Sequence, residues 1–296
     1  MSKINTNRDQ LVMISALGVI SDPPLNILSP YRISADGKPM ILPGTGGITY
    51  NKRIGDSAIN LWGDHIEPAV SIKHPDSDRT SPFNGGLVVM SCVGNRATVV
   101  SGDAKGEVGL VTGKHGGVFH VMVDFTRKQM DMMTVGDKMQ VKTYGQGLAM
   151  TDFSGVQIRN LDPAMFDTIG IVGNVKTGRV EIPITHLIPA ACMGSGLGQS
   201  HTTAGDYDIQ MFDEETVEKH RLNDLKFGDI VAITNADNTF GRVYRKKSIS
   251  VGVIVHSRSV VAGHGPGVTT LFTSRDGLID AVIDPDANLT NYFKKL

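Results

Sequence analysis

The chain has 296 residues, 40% of them hydrophobic and 20% charged, with a formal net charge of −1. That length exceeds a minimal core and suits one large domain or two ordinary ones. A balanced charge argues against a wide nucleic-acid groove. The two cysteines, Cys92 and Cys192, form no Cys-x-x-Cys pair, which argues against a zinc knuckle or a disulfide framework.

In chain order, the first element is the apolar run Leu11–Ile20, which follows Lys3 and Arg8. It loosely resembles a secretory signal, but Ser21-Asp22-Pro23-Pro24 follows and no small-x-small cleavage site is present. It is also too short to span a bilayer. The run is expected to be a buried first strand or a short core helix, and the protein is expected to be cytoplasmic. Strands are expected at Thr98–Ser101, Val108–Thr112, Phe119–Asp124, Gly170–Val175, Arg179–Ile184 and Ser250–His256. A helix is expected at Asp213–Arg221, with Asp213 as its N-cap and acidic residues in its first turn. A short helical turn is expected at Gly277–Val282, and the tail Asn288–Leu296 is amphipathic enough to dock on a surface.

The dipeptide Gly-Asp punctuates this pattern at residues 55–56, 63–64, 102–103, 136–137, 205–206 and 228–229. Gly supplies the unusual backbone angle and Asp bonds a nearby amide, so the pair makes a turn before a strand. The copies at 136–137 and 228–229 lead straight into alternating runs. The expected fold is therefore mostly β with minor α, barrel-like, in two β-rich units. A break near Asn160–Pro163 divides them into residues 1–162 and 163–296, although one interwoven double barrel is the alternative.

Four polar clusters are candidates for chemistry. In Gly63-Asp64-His65-Ile66-Glu67-Pro68, an extended backbone would point His65 and Glu67 to one face. A His and a carboxylate together can bind a divalent metal or act as an acid–base pair. In Lys114-His115-Gly116-Gly117 the glycines allow close backbone approach, so His115 can serve a ligand. His120 and Asp124 follow, with His120 expected to be a half-buried packing residue. The polar stretch Met193–Asp208 is rich in glycine, and amides of Gly194, Ser195 and Gly196, up to Gly198, could form an anion nest or oxyanion site. Its spacing is neither a dinucleotide fingerprint nor a nucleophile elbow. His201, Asp206 and Asp208 in the same stretch could gather around a metal. In the C-terminal half, the polar turn Asn235–Arg242 precedes His256-Ser257 and Gly263-His264-Gly265-Pro266-Gly267. Turn chemistry accounts for these glycines and the proline, but not for His264.

The segment Thr98–Val111 resembles the KOW motif of ribosomal and elongation proteins, a strand-loop-strand piece of a small barrel. Balanced charge and the lack of an aromatic platform argue against RNA binding. Gly-Asp-His-Ile-Glu-Pro at 63–68, Met-Gly-Ser-Gly at 193–196, Gly-Asp-Tyr-Asp at 205–208 and Gly-His-Gly-Pro-Gly at 263–267 together resemble an uncharacterised bacterial and archaeal family. That family is described as a domain of unknown function with N- and C-terminal parts. The resemblance spans about residues 25–285 and implies a barrel-type β fold without an established reaction. A shorter resemblance is to the acetamidase/formamidase enzymes, through His115-Gly116-Gly117, Gly136-Asp137 and His201 with Gly205-Asp206-Tyr207-Asp208. It lacks that family's Asn-Met-Asp, and Asp208 stands where its Glu would be.

These readings converge on an enzyme that acts on a small polar substrate, most simply by hydrolysis of a C–N bond. His65, Glu67 and His201 are the expected catalytic residues. A divalent metal is expected among His65, Glu67, His115, His201, Asp206 and Asp208. Gly194, Ser195, Gly196, His115 and His264 are the expected ligand-binding residues. No nucleotide cofactor, nucleic acid or membrane is expected, and a homo-oligomer is expected from the need to cover strand edges. The rival reading is a non-catalytic protein that binds a small anion or metabolite, or serves assembly.

Overall fold

In a computed structural model of the chain, which describes residues 4–23, 31–76, 81–196 and 202–296, six strands close into a barrel. Ile14–Ile20, Lys138–Thr143, Arg96–Val99, Val108–His115, His120–Asp124 and Ala69–Lys73 pair antiparallel in that order, and the last pairs back with the first. Closure removes the free edges that an open sheet would present. Period-2 patterning explains the inside and the outside. In Lys138–Thr143, Met139, Val141 and Thr143 are buried, whereas Lys138, Gln140 and Lys142 are exposed. Ile20, Ile72, Ala97, Val99, Val111, Val121 and Val123 fill the same interior. The KOW-like segment is the hairpin of Arg96–Val99 with Val108–His115.

A second sheet runs His186–Ile188, Ile230–Asp237, Val243–His256, Gly267–Ser274, Tyr207–Ile209 and Met193–Gly196, with Gln157–Ile158 added to Gly267–Ser274. Both of its faces are covered. Ile230, Ala232, Val251, Val253 and Val255 enter one core with Leu161 and Phe272. Val231, Ile233, Ile254 and Val268 enter another with Ile209, Leu225 and Phe227. A strand buried on both sides reads as an unbroken apolar run, as Ile230–Ile233 does. The protein is thus mostly β, in two β-rich units.

A small third sheet joins Val172–Asn174, Arg179–Ile184 and Ile279–Ile283. Here the helical turn expected at Gly277–Val282 is corrected. Gly277 makes a left-handed turn (φ 71°), and Ile279–Ile283 then pairs parallel with Arg179–Ile184, burying Ile279. A five-residue run of four apolar residues and Asp280 carries no helical period strong enough to resist a waiting strand. The expected helix is present as Glu214–Lys219, with the Asp213 carboxylate accepting from the Thr216 amide. The tail forms the helix Leu289–Phe293, capped by Asn288.

The apolar N-terminal run is a strand, but it is buried only at its end. Gly18 and Ile20 are buried, while Val12, Met13, Ile14 and Leu17 are exposed. Among the described residues no helix is long and apolar enough to cross a membrane.

The two units meet along Val108–His115. A Cβ at Gly113 would stand 2.2 Å from Val255 Cγ1, so glycine is what admits the second sheet this close. Beside it, the Thr269 hydroxyl accepts from the Lys114 amide and donates to the Lys114 carbonyl, each at 3.1 Å. This contact turns the ends of several strands toward one another.

Candidate functional site

The strands deliver their polar residues to that junction by position. Val108–His115 ends on His115, and His120–Asp124 begins on His120. Val243–His256 ends on His256, and Asp206 and Asp208 flank the start of Tyr207–Ile209. Gly267 pairs across the sheet with Asp208 on one side and with His256 on the other. A Cβ on Gly267 would lie 2.0 Å from Asp206 Oδ2 and 2.3 Å from His256 Nε2, so only glycine fits between them. His65 arrives from a loop in a left-handed conformation (φ 52°), a strained state for a non-glycine residue.

Each of three imidazoles is held through Nδ1. His65 Nδ1 lies 3.0 Å from Asp64 Oδ2, His115 Nδ1 donates to Glu67 Oε1, and His256 Nδ1 lies 3.0 Å from the Ser257 carbonyl. That leaves Nε2 of each as the outward atom, the arrangement by which carboxylates and carbonyls orient metal-binding histidines. His65, His115 and His256 can indeed offer ligand atoms within 4.8 Å of one another, as can His65, Asp208 and His264, and Asp206, Asp208 and His256. Glu67 is fully buried and anchors both His115 and His120, with Ser71 donating to it as well. Asp64 is fully buried too, and takes Ser259 Oγ at 2.7 Å, the Val260 amide at 3.1 Å and Arg32 Nε at 3.2 Å.

One contact is not a hydrogen bond. His256 Nε2 and Asp206 Oδ2 are 2.8 Å apart, yet neither has a hydrogen-bond partner and both are buried. At that distance the failure is one of angle, so the two atoms sit side by side and do not point at each other.

The charges are unbalanced in the same sense. Asp64, Glu67, Asp206 and Asp208 are buried, and among the described residues only Arg32 ion-pairs with any of them as a permanent cation. Burial pushes Asp206 up, but His256 and His115 outweigh it and hold the carboxyl below its ordinary value. Asp208 is held well below, burial being outweighed by His256, His264 and His65. Burial pushes His256 down, yet Asp206 and Asp208 raise it well above its ordinary value. His115 goes the other way, lowered by burial and by the neighbouring His256. The cluster therefore calls for positive charge at its centre and draws it from imidazolium when nothing else supplies it.

A cavity of about 230 Å³ opens onto the cluster, lined by Arg32, Thr45, His65, His115, Gly196 and His264 among others. Of the residues expected from sequence, His65, Glu67, His115, Asp206, Asp208 and His264 come together here. They do so by a different route than strand alternation, since residues 64–68 are loop and His65 is left-handed. Asp124 does not join them and pairs instead with Arg53. His120 is not a packing residue, because its Nδ1 lies 2.9 Å from Glu67 Oε2. In the expected anion nest, the Ser195 amide is already engaged. It donates to the Gly263 carbonyl, the carbonyls of Gly194 and Ser195 accept from Arg242, and Met193–Gly196 pairs irregularly with Tyr207–Ile209. Gly196 nonetheless lines the cavity. His201 and Gly198 lie outside the described residues. Sequence reasoning assigned no role to Asp64 or His256. The available signal was a histidine closing an otherwise apolar alternating strand, where a bare imidazole has no reason to be buried.

The fold and the cluster define a class: a two-unit β protein with a buried His/carboxylate centre at the junction of its units. Residues 31–167 match the family model described as Domain of unknown function (DUF4438), N-terminal, and residues 168–293 the one described as Domain of unknown function (DUF4438), C-terminal. The chain belongs to this family. It is similar to the solved structure titled "Crystal structure of TM1086", with 43% identity and a TM-score of 0.90, over 98% of this chain and 99% of that one. No curated protein matches the chain. Nothing in these matches supports the weaker likeness to acetamidase/formamidase.

Proposed function

We propose that the protein is a metal-dependent enzyme that hydrolyses a small polar substrate, most simply at an amide C–N bond. The imidazoles of His65, His115 and His256 and the carboxylates of Asp206 and Asp208 would hold a divalent first-row transition metal. Mixed nitrogen and oxygen ligands suit this group of ions.

The observation that carries the reading is the pair His256 Nε2 and Asp206 Oδ2, buried, 2.8 Å apart and not hydrogen-bonded to each other. Two atoms on one ion at about 2.0–2.2 Å sit roughly 3 Å from each other and aim at a third point. Buried polar groups without partners are otherwise rare and costly.

The metal would supply Lewis-acid polarisation of a carbonyl and a lowered pKa for water. The chain's own residues do the rest. Asp64 and Glu67 fix the histidine rings, and the surrounding core keeps water from all but the cavity side. Arg32 stands at the rim of that cavity, where its guanidinium would favour a substrate carrying a carboxylate. The cavity volume limits the substrate to a small molecule.

The test is metal analysis of protein purified without chelator, followed by a hydrolysis screen of small amides with and without an amino-acid carboxylate. One or more equivalents of a transition metal are expected, with activity lost on chelation and restored by the metal. Protein without stoichiometric metal that also binds none on dialysis would sink the reading. Metal without hydrolysis of any amide would leave a binding protein as the alternative.

A further inference from the structure

We infer that the centre is binuclear, with Asp208 bridging a more buried inner ion and a more exposed outer one; this rests on the metal-centre reading above and extends it. The two oxygens of Asp208 face different partners. Oδ1 lies 3.4 Å from His256 Nε2, on the side of Asp206. Oδ2 lies 2.8 Å from His264 Nδ1 and 3.6 Å from His65 Nε2, on the other side. His65 Nε2 and His264 Nδ1 are themselves 3.2 Å apart. A carboxylate serving a single ion would turn both oxygens, or one, toward a single group of ligands. Here they divide the cluster in two.

The division is also one of burial. The inner group is His256, Asp206 and Asp208 Oδ1, and its side chains are at most 7% exposed. Its three ligand atoms lie within 4.8 Å of one another, as do those of His65, Asp208 and His264, so two groups of three share Asp208. The outer group is His65, His264 and Asp208 Oδ2. The His264 side chain is 35% exposed, and His65, Asp208 and His264 all line the cavity. Three protein ligands with a side open to solvent are the pattern of a catalytic position.

His65 Nε2 cannot serve both ions, and its contacts assign it. It lies 3.2 Å from His264 Nδ1 and 3.6 Å from Asp208 Oδ2, which places it with the outer ion. A bridging carboxylate sets two ions about 3.5–4 Å apart, the spacing at which one ion polarises a carbonyl while the pair shares a water. The substrate class that follows is a small amide whose carbonyl oxygen meets the outer ion and whose remaining polar group faces Arg32.

The experiment is metal loading of the whole chain with Mn²⁺, read by equilibrium dialysis with metal analysis and by EPR of the bound ion. Two equivalents are expected, with the six-line signal of isolated Mn²⁺ replaced by a spin-coupled spectrum. His264→Ala, in an exposed turn, is expected to drop the stoichiometry from two to one and to restore the six-line signal. His74→Ala, away from the cluster, is expected to change neither. One equivalent in the unaltered chain, or two without coupling, overturns the binuclear inference and leaves the metal reading standing. No bound metal overturns both.

Discussion

The same dipeptide does two jobs in this molecule. At Asp56, Asp137 and Asp229 the carboxylate turns back on its own chain and accepts the amide of the residue three positions earlier, Arg53, Thr134 or Lys226, at 2.8–2.9 Å. The preceding glycines are left-handed, with φ of 91°, 91° and 84°. At Asp64 and Asp206 the carboxylate instead reaches far along the chain. Asp64 takes Ser259, Val260 and Arg32, and Asp206 takes the Gly116 amide and faces His256. A carboxylate satisfied by its own turn is spent on architecture. One that leaves its turn unsatisfied, and is then buried, brings negative charge to wherever tertiary packing carries it.

Substitutions can break this comparison. The largest effect is expected from Asp206→Asn or His256→Ala, which should lower metal affinity by at least about 100-fold, as read by competition with a chromophoric chelator. Circular dichroism should be unchanged. Equal loss from Asp137→Ala would show that the two kinds of Gly-Asp do not differ. Gly267→Ala should come next, since its Cβ would strike Asp206 Oδ2 and His256 Nε2. Metal binding should be lost together with about 1–3 kcal/mol of stability in urea unfolding. Wild-type metal stoichiometry in that variant would mean that the two atoms do not face a common ion.

Glu67→Gln should act more gently, because Glu67 orients His115 and His120 from behind. A loss of about 10–100-fold in metal affinity is expected, with stoichiometry preserved.

Lys114 offers a pH test of the junction itself. Burial lowers its pKa to about 8, and its Nζ is held by the Val89 and Thr203 carbonyls and Asn160 Oδ1. The unfolded lysine titrates near 10.4, so between about pH 8 and pH 10 the unfolded state binds more protons and stability rises with pH. The expected gain is on the order of 3 kcal/mol at most. Lys114→Met should flatten that slope in denaturant titrations across the window. A slope unchanged in the variant would refute the assignment. The smallest effect is expected from Asp137→Ala, a loss of about 1–2 kcal/mol with metal binding intact.

Several features of the fold were readable because they are local. The alternation in Arg179–Ile184 marks that strand at both ends, and Asp213 caps its helix as its residue type requires. Two β-rich units follow from many short alternating runs and turn residues. Gly277–Val282 departs from its expected helical turn because so short a segment takes the structure its partner imposes, here Arg179–Ile184. His65 and Glu67 were found as a pair, but the backbone between them is not a strand. His256 and Asp64 stand in candidate clusters but take no role there, because neither sits in a spacing that chemistry favours, and what makes them notable is where they are buried.

By itself, then, the amino-acid sequence determined the β character, the turns and most of the charged and imidazole groups that matter. These depend on backbone geometry and on patterns a few residues long. Only the tertiary structure decided that Asp208, Gly267 and His256 lie side by side on adjacent strands, and that His115 from the barrel faces them. Such contacts join residues about 140 positions apart or more in the case of His115 and His256, and no local pattern encodes them. They arise because Gly113 lets the two units approach and Gly267 leaves the space between their ends.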